Sequence, residues 1–428
     1  MEFLITLAVA MIGGLLMSRL AKKVSLPAVT AYLVAGLLLG PFCIGRLGIM
    51  GVGFHSLEAT DIYSLVTQAA LGFIAFTIGN EFRLTQLKSM GKQAIVIGIL
   101  QAVITTVVVD IALVVLHFIA PDLLTIPVAI TLGAIAAATA PAATLMVVRQ
   151  YKADGPLTRL LLLVVAIDDA VGLVLFSASF GIAKAMEEGS ASVANIILEP
   201  IIEIALSLLL GIVMGLLLHW IERFFHSRSK RLSISVAFVL LTVGLSMLEF
   251  EISGIHCGFS LLLVCMMTGT IFCNVCDFSE ELMERVENWS MPLNILFFVI
   301  SGAELDLNIL RSPLILLVGV IYIIFRSLGK WSGAYLSCKM THCNEKITRH
   351  LGITLLPQAG VALGMALTAG ELMGGALVRN VVLFAVLVYE LIGPVLTKNA
   401  LMQAGEIRPE GKTNARSPNT EKPPVNLK

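Results

Sequence analysis

The chain is poor in charge. Of its 428 residues only 14% are Asp, Glu, Lys or Arg, against about 25% in ordinary soluble domains. The charges present cancel, with 29 basic and 29 acidic side chains, so no overall field draws in nucleic acid, and no nucleic-acid partner is expected. Long polar tracts are missing before the last 25 residues, and 57% of the chain is hydrophobic, which excludes disorder for its body. A single soluble core stops growing at about 250–300 residues and cannot hide this much apolar surface. Alternating polarity, the mark of barrel strands, is missing too. Seven cysteines include one C-x-x-C, Cys273 and Cys276. Without a second pair or suitably spaced histidines it predicts neither zinc nor redox chemistry, and no cofactor is expected. No basic residue precedes the first apolar run, which therefore reads as a spanning helix rather than a cleaved leader.

What is present is a series of apolar runs of bilayer length, about 20 residues each. Thirteen candidates lie near 3–20, 26–41, 62–82, 92–119, 124–148, 157–183, 196–222, 232–248, 255–272, 290–305, 312–337, 348–370 and 376–401. The fold class is thus an all-α polytopic membrane protein. Lys and Arg test the count. The odd-numbered connections and the C-terminal tail hold 23 of them, and the even-numbered connections hold only Arg46, Lys184, Arg311 and Arg379. The positive-inside rule then places the N-terminus outside and the C-terminus in the cytoplasm. Arg326 and Lys330 are left inside the membrane.

The chain also repeats itself. Phe76–Leu84 and Val299–Leu307 align Gly79 with Gly302 and Glu81 with Glu304 at an offset of 223, and Pro141 answers Pro357 at 216. Seven spans separate each pair, an odd number, so the copies face opposite ways. That is the inverted repeat of secondary transporters.

Ionisable groups deep in a bilayer are costly and mark function by default. Asp168 and Asp169 sit near the middle of the sixth span, about 100° apart on a helix. Arg326 and Lys330 lie one turn apart on the eleventh, and a cation there calls for an anion at similar depth. The fifth span carries Thr139 and Pro141, and the twelfth carries Pro357, Gln358 and Gly360. Proline and glycine in mid-span free backbone groups that can meet ions. Glu81 and Glu304 close their spans, where they cap helices or pair with Arg83 and Arg311. Asp110, Glu203 and Glu390 read as interhelical polar groups, and the cluster Glu280, Glu281, Glu284, Glu287 reads as a solvated helix face.

These motifs resemble the monovalent cation:proton antiporter superfamily, and most closely its Asp-Asp branch, the NapA-type bacterial sodium/proton antiporters. The matching stretches are 27–41, Phe76–Glu81, Thr139–Pro141, Ala166–Ala170, Phe298–Asp306 and Arg326–Gly329, in family order. The resemblance implies a transporter rather than an enzyme, in an inner cell membrane. It implies thirteen helices in a homodimer, with the broken fifth and twelfth spans crossing as in the NhaA/NapA-like fold. A transmembrane unit, 1–404, would divide into a core of about 92–183 and 312–401 and a dimerisation scaffold of about 3–82 and 196–305. Residues 405–428 would form a disordered cytoplasmic tail. By the same resemblance Asp169 would bind the cation and the proton, with Asp168 and an oxygen near Thr139 completing the site. Asp168 would pair with a basic residue of the eleventh span; Arg326 and Lys330 both remain open. The activity implied is electrogenic Na+/H+ exchange. The alternatives are a K+/H+ or mixed Na+/K+ antiporter, Li+ being a further candidate ion, and, more remotely, an ion sensor without transport.

Overall fold

The computed structural model describes residues 2–407, apart from 24–27, 50, 57–59, 61, 85–90, 141–143, 145–146, 149–150, 188–192, 249, 253–254 and 306–312. The thirteen apolar stretches map onto fourteen α-helices among the described residues, the stretch 348–370 being divided between two. In chain order these are α1 (Glu2–Lys23), α2 (Ala28–Leu39), α3 (Ser64–Ile78), α4 (Lys92–Ile119), α5 (Ile126–Ile135), α6 (Pro156–Glu187), α7 (Val193–Glu222), α8 (Arg228–Ser246), α9 (Leu261–Val275), α10 (Ser279–Ala303), α11 (Pro313–Met340), α12 (Glu345–Thr354), α13 (Gly360–Thr368) and α14 (Gly375–Ala404). Among the described residues, seven helices are long and apolar enough to cross a membrane by length and composition. Large apolar side chains such as Ile111, Phe118, Leu209, Trp220 and Trp331 point outward. An all-helical body with apolar outer faces satisfies its backbone internally, as a bilayer requires.

Three boundaries differ from expectation. The stretch 255–272 is not all helix. Residues Ile255–Cys257 pair antiparallel with Phe250–Ile252 in a short hairpin, and Ser260, accepting from the Leu263 amide, starts α9. The stretch 290–305 is the end of a longer helix. α10 begins at Ser279, and the Glu280, Glu281, Glu284, Glu287 cluster is its exposed first turns. The tail does not begin as a loose segment at 405. Gly405 takes φ +82° after α14, and the Glu406 amide then bonds back to the Leu401 carbonyl at 3.0 Å. The turn aims the Glu406 carboxylate at the start of α6. There it accepts from the Leu157 amide, the Thr158 amide and the Thr158 hydroxyl, each at 2.7 Å. A carboxylate at a helix N-terminus meets unpaired amides and the positive dipole end. Residues 408–428 lie outside the described region.

The repeat has a packing counterpart. Gly36 of α2 lies against the Val299 carbonyl of α10, and Gly302 lies against the Leu33 carbonyl. Gly269 of α9 lies against the Phe76 carbonyl of α3, and Gly79 lies against the Met266 carbonyl. The two crossings correspond residue for residue, at offsets of 223 and 233. A Cβ at any of the four would strike backbone, so glycine is required at each.

The two broken spans define the centre. α5 is capped by Thr125 with Pro127 in its first turn and ends at Ile135. Pro141 itself lies outside the described residues. By its chemistry a proline there disfavours helix through Ala137. α12, capped by Asn344, ends at Thr354, and α13 begins at Gly360. The non-helical segments between them cross, with the Ala140 amide bonding the Pro357 carbonyl at 2.8 Å.

Candidate functional site

A helix that stops inside a membrane leaves its last carbonyls without partners and the negative end of its dipole exposed. Two such ends converge here. Seven carbonyls at the two breaks are met by a side chain or by the crossing strand. Gln358 Nε2 donates to the Ile135 carbonyl at 3.1 Å. Arg326 Nε donates to Ala136 at 3.0 Å, Nη2 to Ala138 at 2.7 Å and Nη1 to Leu356 at 2.7 Å. Lys330 donates to the Ala137 carbonyl, and the Thr139 hydroxyl lies 3.2 Å from the Leu355 carbonyl. One guanidinium thus ties both breaks together. Its flat fork donates from three separate nitrogens and so spans acceptors on both breaks, where an ammonium donates from a single atom. The Tyr389 ring lies under it, 4.4 Å from ring centre to guanidinium carbon. Tyr389 is held in turn by the Ile323 carbonyl at 2.7 Å and Ser327 at 2.9 Å.

Arg326 does not meet a carboxylate among the described residues. Its charge is balanced by carbonyl oxygens at two half-helix ends.

Lys330 is the partner of Asp168. The Nζ–Oδ2 distance is 2.6 Å and both side chains are fully buried, so Lys330 does not reach toward the surface. Lys330 Nζ also donates to Thr139 Oγ1 at 2.9 Å and to Gln101 Oε1 at 3.2 Å. Asp168 accepts further from the Thr139 hydroxyl on Oδ2 and from the Gln101 amide on Oδ1. Two charges taken out of water are tolerable only with such complete hydrogen bonding. Among the described residues the ammonium therefore meets one carboxylate, one hydroxyl, one side-chain carbonyl and one backbone carbonyl.

Of the residues singled out in the sequence, Asp168, Thr139, Arg326, Lys330, Pro357 and Gln358 come together at this crossing. Asp169 follows Asp168 on α6, and its side chain, like Pro141, lies outside the described residues. Gln101 was missed. It is a lone amide inside the apolar run of α4, and such a polar residue in a spanning helix is a readable signal. Tyr322, which receives Gln358 Nε2 at 3.0 Å, was missed too; a tyrosine one turn before Arg326 carries no such mark. Gln358 Oε1 is buried and has no hydrogen-bond partner among the described residues.

The other carboxylates lie elsewhere. Glu304, at the end of α10, pairs with Arg379 of α14 at 3.2 Å; Arg311 lies outside the described residues. Glu390 of α14 accepts from Thr30 of α2 at 3.0 Å, an interhelical polar contact as expected. No cluster of three or more His, Cys, Asp or Glu side chains that could hold a metal ion occurs among the described residues.

The fold is that of a known transporter class. The structure of the sodium proton antiporter MjNhaP1 from Methanocaldococcus jannaschii at pH 8 superposes with a TM-score of 0.71 at 20% identity, covering 94% of this chain and 100% of that one. The electron-microscopy map of the same antiporter gives 0.65 at 19% identity, covering 94% and 98%. In sequence, K(+) efflux antiporter 5 of Arabidopsis thaliana is 32% identical over 103 residues, which span 24% of this chain and only 16% of that protein. The family described as sodium/hydrogen exchanger, transmembrane, matches residues 7–402. The chain therefore belongs to the sodium/hydrogen exchanger family, membrane-embedded transporters that exchange a monovalent cation for protons.

Proposed function

We propose that this protein is an electrogenic Na+/H+ antiporter of the Asp-Asp type, in which sodium and protons compete at Asp168 and Asp169. One observation carries the reading: the Lys330 ammonium occupies a nest of oxygens from Asp168, Thr139, Gln101 and Ala137. A hard monovalent cation seeks that donor set. Sodium and the ammonium are therefore rivals for one place. Asp169, next on α6, supplies a second carboxylate, and the unpartnered Gln358 Oε1 a further oxygen at the crossing. Cation entry displaces Lys330 from Asp168. A lysine can then release its proton, which a guanidinium cannot. With a second proton leaving Asp169, two protons exchange for one sodium and net charge moves. Arg326 stays charged throughout and holds the two breaks.

In this reading the core of about 92–183 and 312–401 carries the site, and the scaffold of about 3–82 and 196–305 forms a homodimer in the lipid of the cell membrane. The N-terminus is outside and the tail cytoplasmic, as the Lys and Arg distribution requires.

The test is proton flux in proteoliposomes. A pH gradient is imposed, sodium or potassium is added, and an interior pH dye is read, with and without an ionophore that clamps voltage in the sodium case. Sodium-driven dissipation that responds to voltage, lost in Asp169→Asn, is the expected result. Full activity in that variant would end the proposal. A potassium reading competes, since the stretch matched by the Arabidopsis relative belongs to a protein named for potassium efflux; dissipation by potassium alone would establish it. Cation binding without flux in folded protein would instead support the sensor.

A further inference from the structure

Two thiols meet at the elbow between α11 and α12. The Cys343 amide donates to the Cys338 carbonyl at 2.9 Å, and the His342 amide to the Lys339 carbonyl at 3.2 Å. His342 between them takes φ +54°. This is a Schellman cap, which lays the side chain of its last residue against that of its first. Here both are cysteines, and both are free thiols. Cys338 is buried and Cys343 half-buried, so a small oxidant reaches Cys343 first. Gln93 of α4 donates to Cys343 Sγ at 2.9 Å and to the Thr341 carbonyl at 3.0 Å, tying α4 to the elbow. The C-x-x-C pair is unlike this. Cys273 and Cys276 are both buried, and the Cys273 thiol is turned to the Thr270 and Gly79 carbonyls.

We propose that Cys338 and Cys343 are a redox-sensitive dithiol, which a peroxide oxidises to a disulfide that slows exchange. The Cys343 sulfur attacks a peroxide oxygen, the O–O bond breaks, and a sulfenic acid and one water result. The Cys338 sulfur then attacks the Cys343 sulfur, the S–O bond breaks, and a second water leaves as the S–S bond forms. The two thiols lose two protons and two electrons, and hydrogen peroxide is reduced to two waters. The new bond draws the Cys343 sulfur off Gln93. It also staples the end of α11, which carries Lys330, to the turn that leads into α12, whose C-cap Leu355 places its carbonyl beside Thr139. On the cytoplasmic side the reducing thiol pool resets the pair. The effect on flux rests on the exchange reading above; the thiol chemistry does not.

The experiment uses the full chain in proteoliposomes, exposed to hydrogen peroxide and then to a dithiol reductant. Free thiols are blocked and mapped by peptide mass, and sodium-driven flux is read on the same vesicles. In wild type, thiols 338 and 343 should vanish together into one cross-linked peptide while flux falls, and reduction should restore both. Cys343→Ser, on a half-buried turn, should keep basal flux and show neither change. Thiols that stay free, a Cys343 oxidised without joining Cys338, or a cross-link with unchanged flux would overturn the proposal. A reversible cross-link in wild-type vesicles that carry no sodium flux at all would support the dithiol while sinking the exchange reading.

Discussion

The Asp168–Lys330 pair makes a quantitative prediction. Lys330→Met removes the ammonium and leaves a fully buried carboxylate with, among the described residues, only Gln101 and Thr139 as side-chain donors. Asp168→Asn takes from the fully buried ammonium the carboxylate it pairs with. Breaking a buried pair by removing one partner costs about 3–5 kcal/mol, because an uncompensated charge remains. If the two effects were independent, the double variant would lose about 6–10 kcal/mol. In the double variant neither member of the pair is left charged. Its main deficit is the Ala137 carbonyl that Lys330 no longer meets, an unsatisfied buried group worth about 1–3 kcal/mol. The double variant should therefore be more stable than either single one, with a coupling of at least about 3 kcal/mol. The assay is thermal unfolding of the four proteins in detergent without sodium, compared by midpoint at one heating rate. Asp168→Asn combined with Arg326→Met should show no such recovery, because Arg326 bonds carbonyls. A double variant at Asp168 and Lys330 that melts below both singles would refute the pairing.

Arg326→Lys should destabilise the protein by about 3–6 kcal/mol, since a lysine forfeits at least two of three bonds to Ala136, Ala138 and Leu356, each worth about 1.5–3 kcal/mol for a charged donor; the same melt reads it. Glu406→Ala should cost about 1–2 kcal/mol through loss of the α6 cap. Gly155→Ala should mimic it, because a Cβ there meets the Glu406 carboxyl group. Truncation after 404 should melt like Glu406→Ala, and truncation after 407 like wild type. Gly36→Val and Gly269→Val should each abolish folded, monodisperse protein, and their equal severity on size-exclusion chromatography would match their equivalent places in the repeat. Gln101→Leu should lower sodium-driven flux at low sodium more than at saturating sodium, because it deletes one oxygen of the cation nest; an unchanged sodium dependence would remove Gln101 from the site.

Much of this was legible along the chain because the signals are local. A run of apolar residues declares a span by its length, and a proline or an Asp-Asp pair in mid-run stands out against its neighbours. Asp168, Thr139, Pro357 and Lys330 were singled out in that way, and the offset of Gly79 and Gly302 marked a repeat, whose matching helix crossings only the structure shows. The short hairpin before α9 and the docking of Glu406 were not legible. The first is set by three-residue strands too short to show a period, and the second by a turn that meets a helix some 250 positions earlier in sequence.

The class of fold, the two breaks and the presence of buried charge follow from composition and spacing, since no other arrangement hides a polar group or frees a backbone at those positions. Which cation meets which partner does not follow. Arg326 and Lys330 lie one turn apart on one helix, at similar depth, and either could have faced Asp168. The crossing of the two broken spans decides it. It gathers three carbonyls where a planar guanidinium reaches them all, and leaves beside Asp168 one compact opening that an ammonium fills.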